Sequence, residues 1–224
     1  MYLRATDVTG RVSKTYGTSN CQTPGPKSPL WLSIGFANNV TAMAFGNGKL
    51  WATTSGNKLW WRDPVFNVDW QHIGHANDVT ALTFGNGRLW ATTKDNQLWR
   101  RDPVGANLNW QRIGHANEVT ALAFGNGQLW ATTKDNRLWR RDPVAADVNW
   151  QHVGHAYNVT AMTFINARLY AATTNGELYS REPVGADIVW TPEGPAREIK
   201  ALASMNSRLV GATTSNWLLW REPT

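Results

Sequence analysis

Short runs of alternating side chains, broken by turn residues, fill the chain from residue 31 onward. Val119-Thr120-Ala121-Leu122-Ala123-Phe124 sets Val, Ala, Ala against Thr, Leu, Phe. A period of two reads as a strand, and no useful length of the chain has the period of a helix. Gly125-Asn126-Gly127 then gives a hairpin, because Gly and Asn tolerate positive φ. Leu129–Thr133 is a second strand, Lys134-Asp135-Asn136 a second turn, and Leu138–Arg141 a third strand. Asp142-Pro143 stops it, since proline cannot continue a ladder. A loop through Asp147 leads to a fourth strand, Trp150-Gln151-His152-Val153.

This unit recurs. The block Gly114–Leu122 also stands at Gly74–Leu82 and Gly154–Met162, a step of 40 residues. A further copy starts at Gly35, and a degraded fifth starts at Gly194. Four-stranded units at this period predict a β-propeller. Both faces of an inner strand carry large groups, Leu129 and Ala131 on one side and Trp130 on the other. A sheet buried on both faces needs a neighbour on each, which a ring of blades supplies.

The two ends predict the closure. The fifth repeat offers three strands, near Ile199–Ala203, Leu209–Thr213 and Leu218–Arg221, and lacks a fourth. Trp31–Ile34 reads as a fourth strand with no blade before it. The expected fold is therefore all-β, a five-bladed β-propeller in residues 31–224, closed by strand 31–34 joining the C-terminal blade and leaving no open edge. Residues 1–30 are expected to be a leader, of which residues 7–30, with Pro24, Pro26 and Pro29, read as a long surface loop. Met1-Tyr2-Leu3-Arg4 resembles the third strand Leu178–Arg181: a vestigial blade, an extra rim strand, or a competitor for the last blade.

Composition narrows the picture. Hydrophobic residues are 42% and charged residues 17%, which excludes intrinsic disorder. One cysteine, Cys21, excludes an internal disulfide framework and a cysteine-based zinc site. No apolar run reaches the ~18 residues of a membrane helix. No secretory signal is visible, so a soluble protein, cytoplasmic or exported by a non-classical route, is expected. On that reading the acceptor patterns Asn39-Val40-Thr41 and Asn158-Val159-Thr160 are coincidences of the repeat. The formal net charge is +6, but no contiguous basic run accompanies it, so nucleic acid is not the expected partner. Tryptophan is abundant, with fourteen residues against five Tyr and six Phe. Most are expected to pack between blades.

Two families share features with the unit. Gly114-His115, Val119–Phe124 and Asp135 resemble a WD-repeat blade. The expected Trp-Asp end is replaced by Leu138-Trp139-Arg140-Arg141-Asp142-Pro143, and the Asp-to-Trp spacing is short, so the His–Thr–Asp–Trp network of that family is not carried over. Leu129-Trp130-Ala131, Asp135-Asn136, Leu138–Arg141 and Asn149–Gly154 are similar to the tectonin and tachylectin propellers. That resemblance covers all five repeats and implies a lectin or lectin-like recognition protein.

Two loop faces follow from the strand directions, each with a candidate site. The first pairs the start of an outer strand with the inner hairpin of the next blade: Asn109, Trp110 and Asn126; Asp69, Trp70 and Asn86; Asn149, Trp150 and Asn166; Trp31 with Asn47; Trp190 with Asn206. An aromatic face suits the C–H surface of a sugar, and amides or carboxylates pair with its hydroxyls. The plain alternatives are Asn chosen for positive φ and Trp for blade packing. The second group is His75, Asn77, Lys94, Asp95 and Asn96 with its equivalents, whose plain reading is turn chemistry. His75, His115 and His155 lie on separate blades, so no metal site is expected, and no cofactor. Arg62, Arg101, Arg141, Arg181 and Arg221 are each followed by an acid and Pro, which predicts a local Arg–carboxylate pair at the strand end.

Catalysis needs one asymmetric constellation, whereas here nearly every polar feature is duplicated. An enzyme is therefore not expected. The expected function is multivalent binding of glycans on cell or microbial surfaces, N-acetylated sugars among them, by a monomer, with an oligomer as the alternative. The alternative is a protein-interaction scaffold of WD-repeat type.

Overall fold

The computed structural model describes residues 30–65, 68–103, 109–143, 148–183 and 189–223. The expectations for Met1–Arg4 and for the loop through residue 29 lie outside these residues.

Twenty strands follow the repeat. β1 (Leu32–Phe36) comes first. The first blade is β2 (Val40–Gly46), β3 (Lys49–Thr54), β4 (Lys58–Arg62) and β5 (Gln71–His75). The second is β6 (Val79–Gly85), β7 (Arg88–Thr93), β8 (Gln97–Arg101) and β9 (Gln111–His115). The third is β10 (Val119–Gly125), β11 (Gln128–Thr133), β12 (Arg137–Arg141) and β13 (Gln151–His155). The fourth is β14 (Val159–Ile165), β15 (Arg168–Thr173), β16 (Glu177–Arg181) and β17 (Thr191–Pro195). The fifth has β18 (Ile199–Met205), β19 (Arg208–Thr213) and β20 (Trp217–Arg221).

The fifth sheet runs β1-β20-β19-β18, so the N-terminal strand completes the C-terminal blade. β18 in turn packs beside β2 and closes the ring of inner strands. The closing strand pairs from Leu32 to Phe36, two residues beyond the stretch read from the sequence. Each outer strand likewise runs past its glycine. The ladder between β12 and β13 breaks register between Leu138 and Trp139, opposite Gly154 at φ 130°. That backbone favours glycine and lets pairing resume at His155.

The core is five layers, each shared by two blades. One holds Trp90, Leu98 and Ile113 of the second blade against Val119, Leu122 and Leu129 of the third. The layer between the fifth and first blades sets Val210 and Leu218 against Met43 and Leu50. Trp51, Trp90 and Trp130 are 1–4% exposed. Their Nε1 atoms donate to the carbonyls of Gly46, Gly85 and Gly125 at 3.0–3.2 Å, so burial leaves none of these three indole donors unmet.

Glycine at the end of an inner strand admits an aromatic ring from the next blade. A Cβ at Gly85 would stand 2.0 Å from Phe124, and one at Gly125 would stand 2.1 Å from Phe164. In the fourth blade the glycine becomes Ile165, and the fifth-blade residue at the phenylalanine's position is Ser204. The volume added on one side is removed on the other, as close packing requires.

The repeated arginines do not follow the expected pairing. Arg62, Arg101, Arg141, Arg181 and Arg221 are 1–3% exposed. Each Nε donates to the carbonyl of the acidic residue that follows, at 3.0–3.3 Å. Each guanidinium lies 5.6–5.7 Å from the ring centre of an outer-strand tryptophan: Trp70, Trp110, Trp150, Trp190 or Trp31. Arg221 also donates to the carbonyl of Glu193 in the preceding blade at 2.9 Å. Burial lowers the pKa of Arg62, Arg101 and Arg221, and for Arg62 the charge of Asp69 works against it. The acidic side chains turn the other way, to the start of the second strand. Lys49–Asp63 (2.7 Å), Arg88–Asp102 (3.0 Å), Arg168–Glu182 (2.6 Å) and Arg208–Glu222 (2.7 Å) are such pairs. A buried planar cation therefore fixes the end of the third strand to the outer-strand tryptophan of its own blade, and Arg221 in addition reaches the blade before it.

Candidate functional site

Between adjacent blades, on the face of the middle turns and inter-blade crossings, the structure opens a cavity that repeats. Between the second and third blades it measures about 420 Å³, with His115, Asn117, Asp135, Trp139 and Trp150 in its wall. Between the first and second it measures about 560 Å³, with His75, Asn77, Asp95, Trp99 and Trp110. A third, of about 480 Å³, uses Asn38, Ser55, Trp60 and Trp70. A fourth, of about 230 Å³, uses Tyr157, Asn175, Tyr179 and Trp190.

Each therefore has two aromatic walls. One comes from the third strand (Trp60, Trp99, Trp139 or Tyr179). The other stands just before the outer strand (Trp70, Trp110, Trp150 or Trp190). In the fifth blade Leu219 takes the first place beside Trp31. The second wall is held rigidly. Nε1 of Trp110, Trp150 and Trp190 donates to the carbonyls of His75, His115 and His155, each at 2.9 Å. Trp70 donates to Phe36 at 3.0 Å and Trp31 to Pro195 at 2.8 Å. With the N–H committed and a guanidinium beside the ring, what remains for a ligand is the indole face.

The first wall is fixed by a hydrogen-bonded chain in two blades. Trp139 Nε1 donates to Thr133 Oγ1 at 3.2 Å, and Thr133 Oγ1 donates to Asp135 Oδ1 at 2.5 Å. Trp99, Thr93 and Asp95 repeat it. Thr, Asp and Trp thus form the same hydrogen-bonded chain in both blades. His115 stands outside the chain, its Nε2 facing Arg112 Nη2 at 3.1 Å. In the first blade Ser55 and Gly56 occupy the turn instead, and Trp60 Nε1 is buried without a hydrogen-bond partner among the described residues.

The Thr133 hydroxyl, with help from Arg137, holds the Asp135 carboxyl below the ordinary aspartate range. The folded value lies below the unfolded one. The associated stability is therefore present above the unfolded pKa and fades as pH falls through the folded one. In an NMR titration Asp135 is expected to ionise below a free aspartate, and Thr133→Val is expected to move it upward. An unchanged midpoint would remove the hydroxyl from the account.

The structure regroups the residues singled out from the sequence. Trp70, Trp110, Trp150 and Trp190 join the second group on the crossing face, with His75 and Asp95 or their equivalents. Asn149 lines the cavity between the second and third blades, whereas Asp69 and Asn109 are exposed and line none of the four cavities. Asn47, Asn86, Asn126, Asn166 and Asn206 also line none of them, and all five have φ of 47–50°. They serve the hairpins, where Asn tolerates the left-handed region. Asn96 and Asn136, likewise left-handed, anchor the crossings: their side chains accept from the amides of Glu118 and Asn158 at 2.8 Å. The residues not foreseen were Trp99, Trp139, Thr93 and Thr133. Their signal was the invariant spacing Thr-x-Asp-x-x-x-Trp in the second and third repeats.

His72 with His75 and His152 with His155 are neighbours on one strand, with ring centres 6.2 and 5.7 Å apart. Among the described residues no group of three or more His, Cys, Asp or Glu converges as a metal site would require.

No family model matches the sequence, and no curated protein does. Among solved structures, a glutaminyl cyclase from Myxococcus xanthus is similar at TM-score 0.64 and 14% identity, over 86% of this chain and 95% of that one. A chain of a nidogen/laminin complex is similar at TM-score 0.61 and 10% identity, over 84% and 85%. At such identities the likeness speaks for the β-propeller fold alone, and no family match extends it to the tectonin or tachylectin lectins.

Proposed function

We propose that this protein is a multivalent carbohydrate-binding protein whose sites are the inter-blade cavities. The observation that carries this reading is the repeated pair of aromatic walls with a polar rim. In the second and third blades that rim includes an aspartate. A pyranose offers an apolar C–H face and a belt of hydroxyls. The face stacks on the indole of Trp150 or its equivalents, and the belt meets Asp135, Asn117 and neighbouring backbone groups. A carboxylate that stays ionised accepts hydroxyl hydrogen bonds over a wide pH range, and charge-assisted bonds are the stronger kind. Cavities of 230–560 Å³ suit one or two sugar rings, at the lower end of small-ligand sites.

Each contact is weak, and the ring repeats it. Engaging several sites on a dense glycan surface raises avidity by about 10²–10⁴ over one site. A glycan array, with hemagglutination inhibited by simple sugars, tests the proposal. Millimolar binding of monosaccharides, N-acetylated ones included, and much tighter binding of clustered glycans is the expected result. The absence of any sugar binding at millimolar concentration would sink it.

A protein-interaction scaffold is favoured by one different observation. On the latch blade Phe36 and Trp217 stack at 4.7 Å while 58% and 43% exposed. That function would appear as a protein partner lost on Trp217→Ala, in a chain that binds no sugar.

A further inference from the structure

Each inner strand breaks register at its second residue. The pairing skips Thr41, Thr80, Thr120, Thr160 and Lys200 in turn. A bulge of this kind bends the strand and re-aims a side chain. Here it is repeated five times around one axis. The five residues and their neighbours line a small cavity at the centre of the ring, about 20 Å³ in volume.

The hydroxyls there have a second layer behind them. Thr41, Thr80 and Thr120 pair through Oγ1 with Thr53, Thr92 and Thr132 at 3.0, 2.8 and 2.8 Å. Those outer threonines are fully buried. When the outer hydroxyl donates, the axial hydroxyl keeps its own proton for an acceptor in the cavity. Thr160 instead donates to the carbonyls of Ala172 and Ile199. In the fifth blade Lys200 takes the threonine's place in the register break and in the wall of the central cavity. No side-chain hydrogen bond or ion pair of Lys200 exists among the described residues. Burial holds its pKa below the ordinary lysine range.

We propose that the axial cavity binds a single monoatomic anion of the halide class, between the Lys200 ammonium and the hydroxyls of Thr41, Thr80 and Thr120. A half-buried cation without a counter-charge is costly, and a neutral water does not offset it. The volume takes one particle about the size of a water, which excludes polyatomic oxyanions such as sulfate. This site is independent of the inter-blade cavities and of the sugar reading.

Bromide is the probe. Crystals of the full chain grown with sodium bromide are expected to show an anomalous peak on the axis beside Lys200. Lys200→Thr restores the residue of the other four blades and is expected to fold, but without the peak. In solution, replacing sodium gluconate by sodium chloride at constant ionic strength is expected to raise Tm saturably. At a roughly fivefold excess over Kd the rise is about 2–4 °C in a chain of this size, and Lys200→Thr abolishes it. The proposal is overturned by an axis without a bromide peak, or by the same halide response in both proteins.

Discussion

Gly125→Ile is expected to lower the free energy of unfolding by about 3 kcal/mol, the upper part of the range for overpacking. The cause is local. A Cβ at Gly125 meets the Phe164 ring at 2.1 Å, and the ring belongs to the neighbouring blade, so neither side relaxes without disturbing the layer between them. Phe164→Ser alone also destabilises, because it opens a cavity in the same layer. The pair is expected to be less harmful than the sum of its parts, with a coupling of about 1–3 kcal/mol in a double-mutant cycle read by urea unfolding. The chain already contains the compensated version, with Ile165 in the glycine position and Ser204 in the phenylalanine position. Strict additivity would mean that the two blades do not share this contact.

Trp139→Leu is expected to weaken one of the proposed sugar sites while the fold survives. Leucine already stands at this place in the fifth blade as Leu219, so the backbone tolerates it. The variant loses an aromatic wall and the indole donor to Thr133. An aromatic contact is worth about 0.5–1.5 kcal/mol beyond area burial, so a loss of roughly two- to tenfold at that site follows. Calorimetry with a monovalent sugar is expected to count one weaker site. Agglutination should fall further when Trp60, Trp99 and Tyr179 are replaced together with Trp139, because avidity depends on the number of engaged sites. Unchanged sugar affinity and stoichiometry in Trp139→Leu would move the binding site away from the inter-blade cavity.

The channel and the cavities draw on different parts of one repeat. The second residue of each inner strand faces the axis, while the third-strand aromatic and the outer-strand tryptophan face a neighbour. The differences among copies thus act separately. Lys200 changes the lining of the axis, Leu219 replaces the third-strand aromatic beside Trp31, and the Ile165 and Ser204 exchange changes one packing layer.

Strand order, blade number and ring closure were written in the local pattern of the chain. Alternation, Asn-Gly turns and Asp-Pro stops act over a few residues, and repetition multiplies a local rule without new information. The missing fourth strand of the last repeat and the orphan at Trp31 were likewise visible as counts. The grouping of the site residues was not. Sequence order put Trp110 beside Asn109 and on the hairpin face with Asn126, but blade packing brings its indole under the His75 carbonyl and into the cavity with Trp99 and Asp95. The buried arginines show the same limit. Their acidic neighbours in sequence suggested a local pair, whereas burial directs the guanidinium to carbonyls and an indole, and the carboxylates to the next strand. Local preferences decided which strands exist; which side chains meet depended on the packing of one sheet against the next, a contact between residues far apart in the chain.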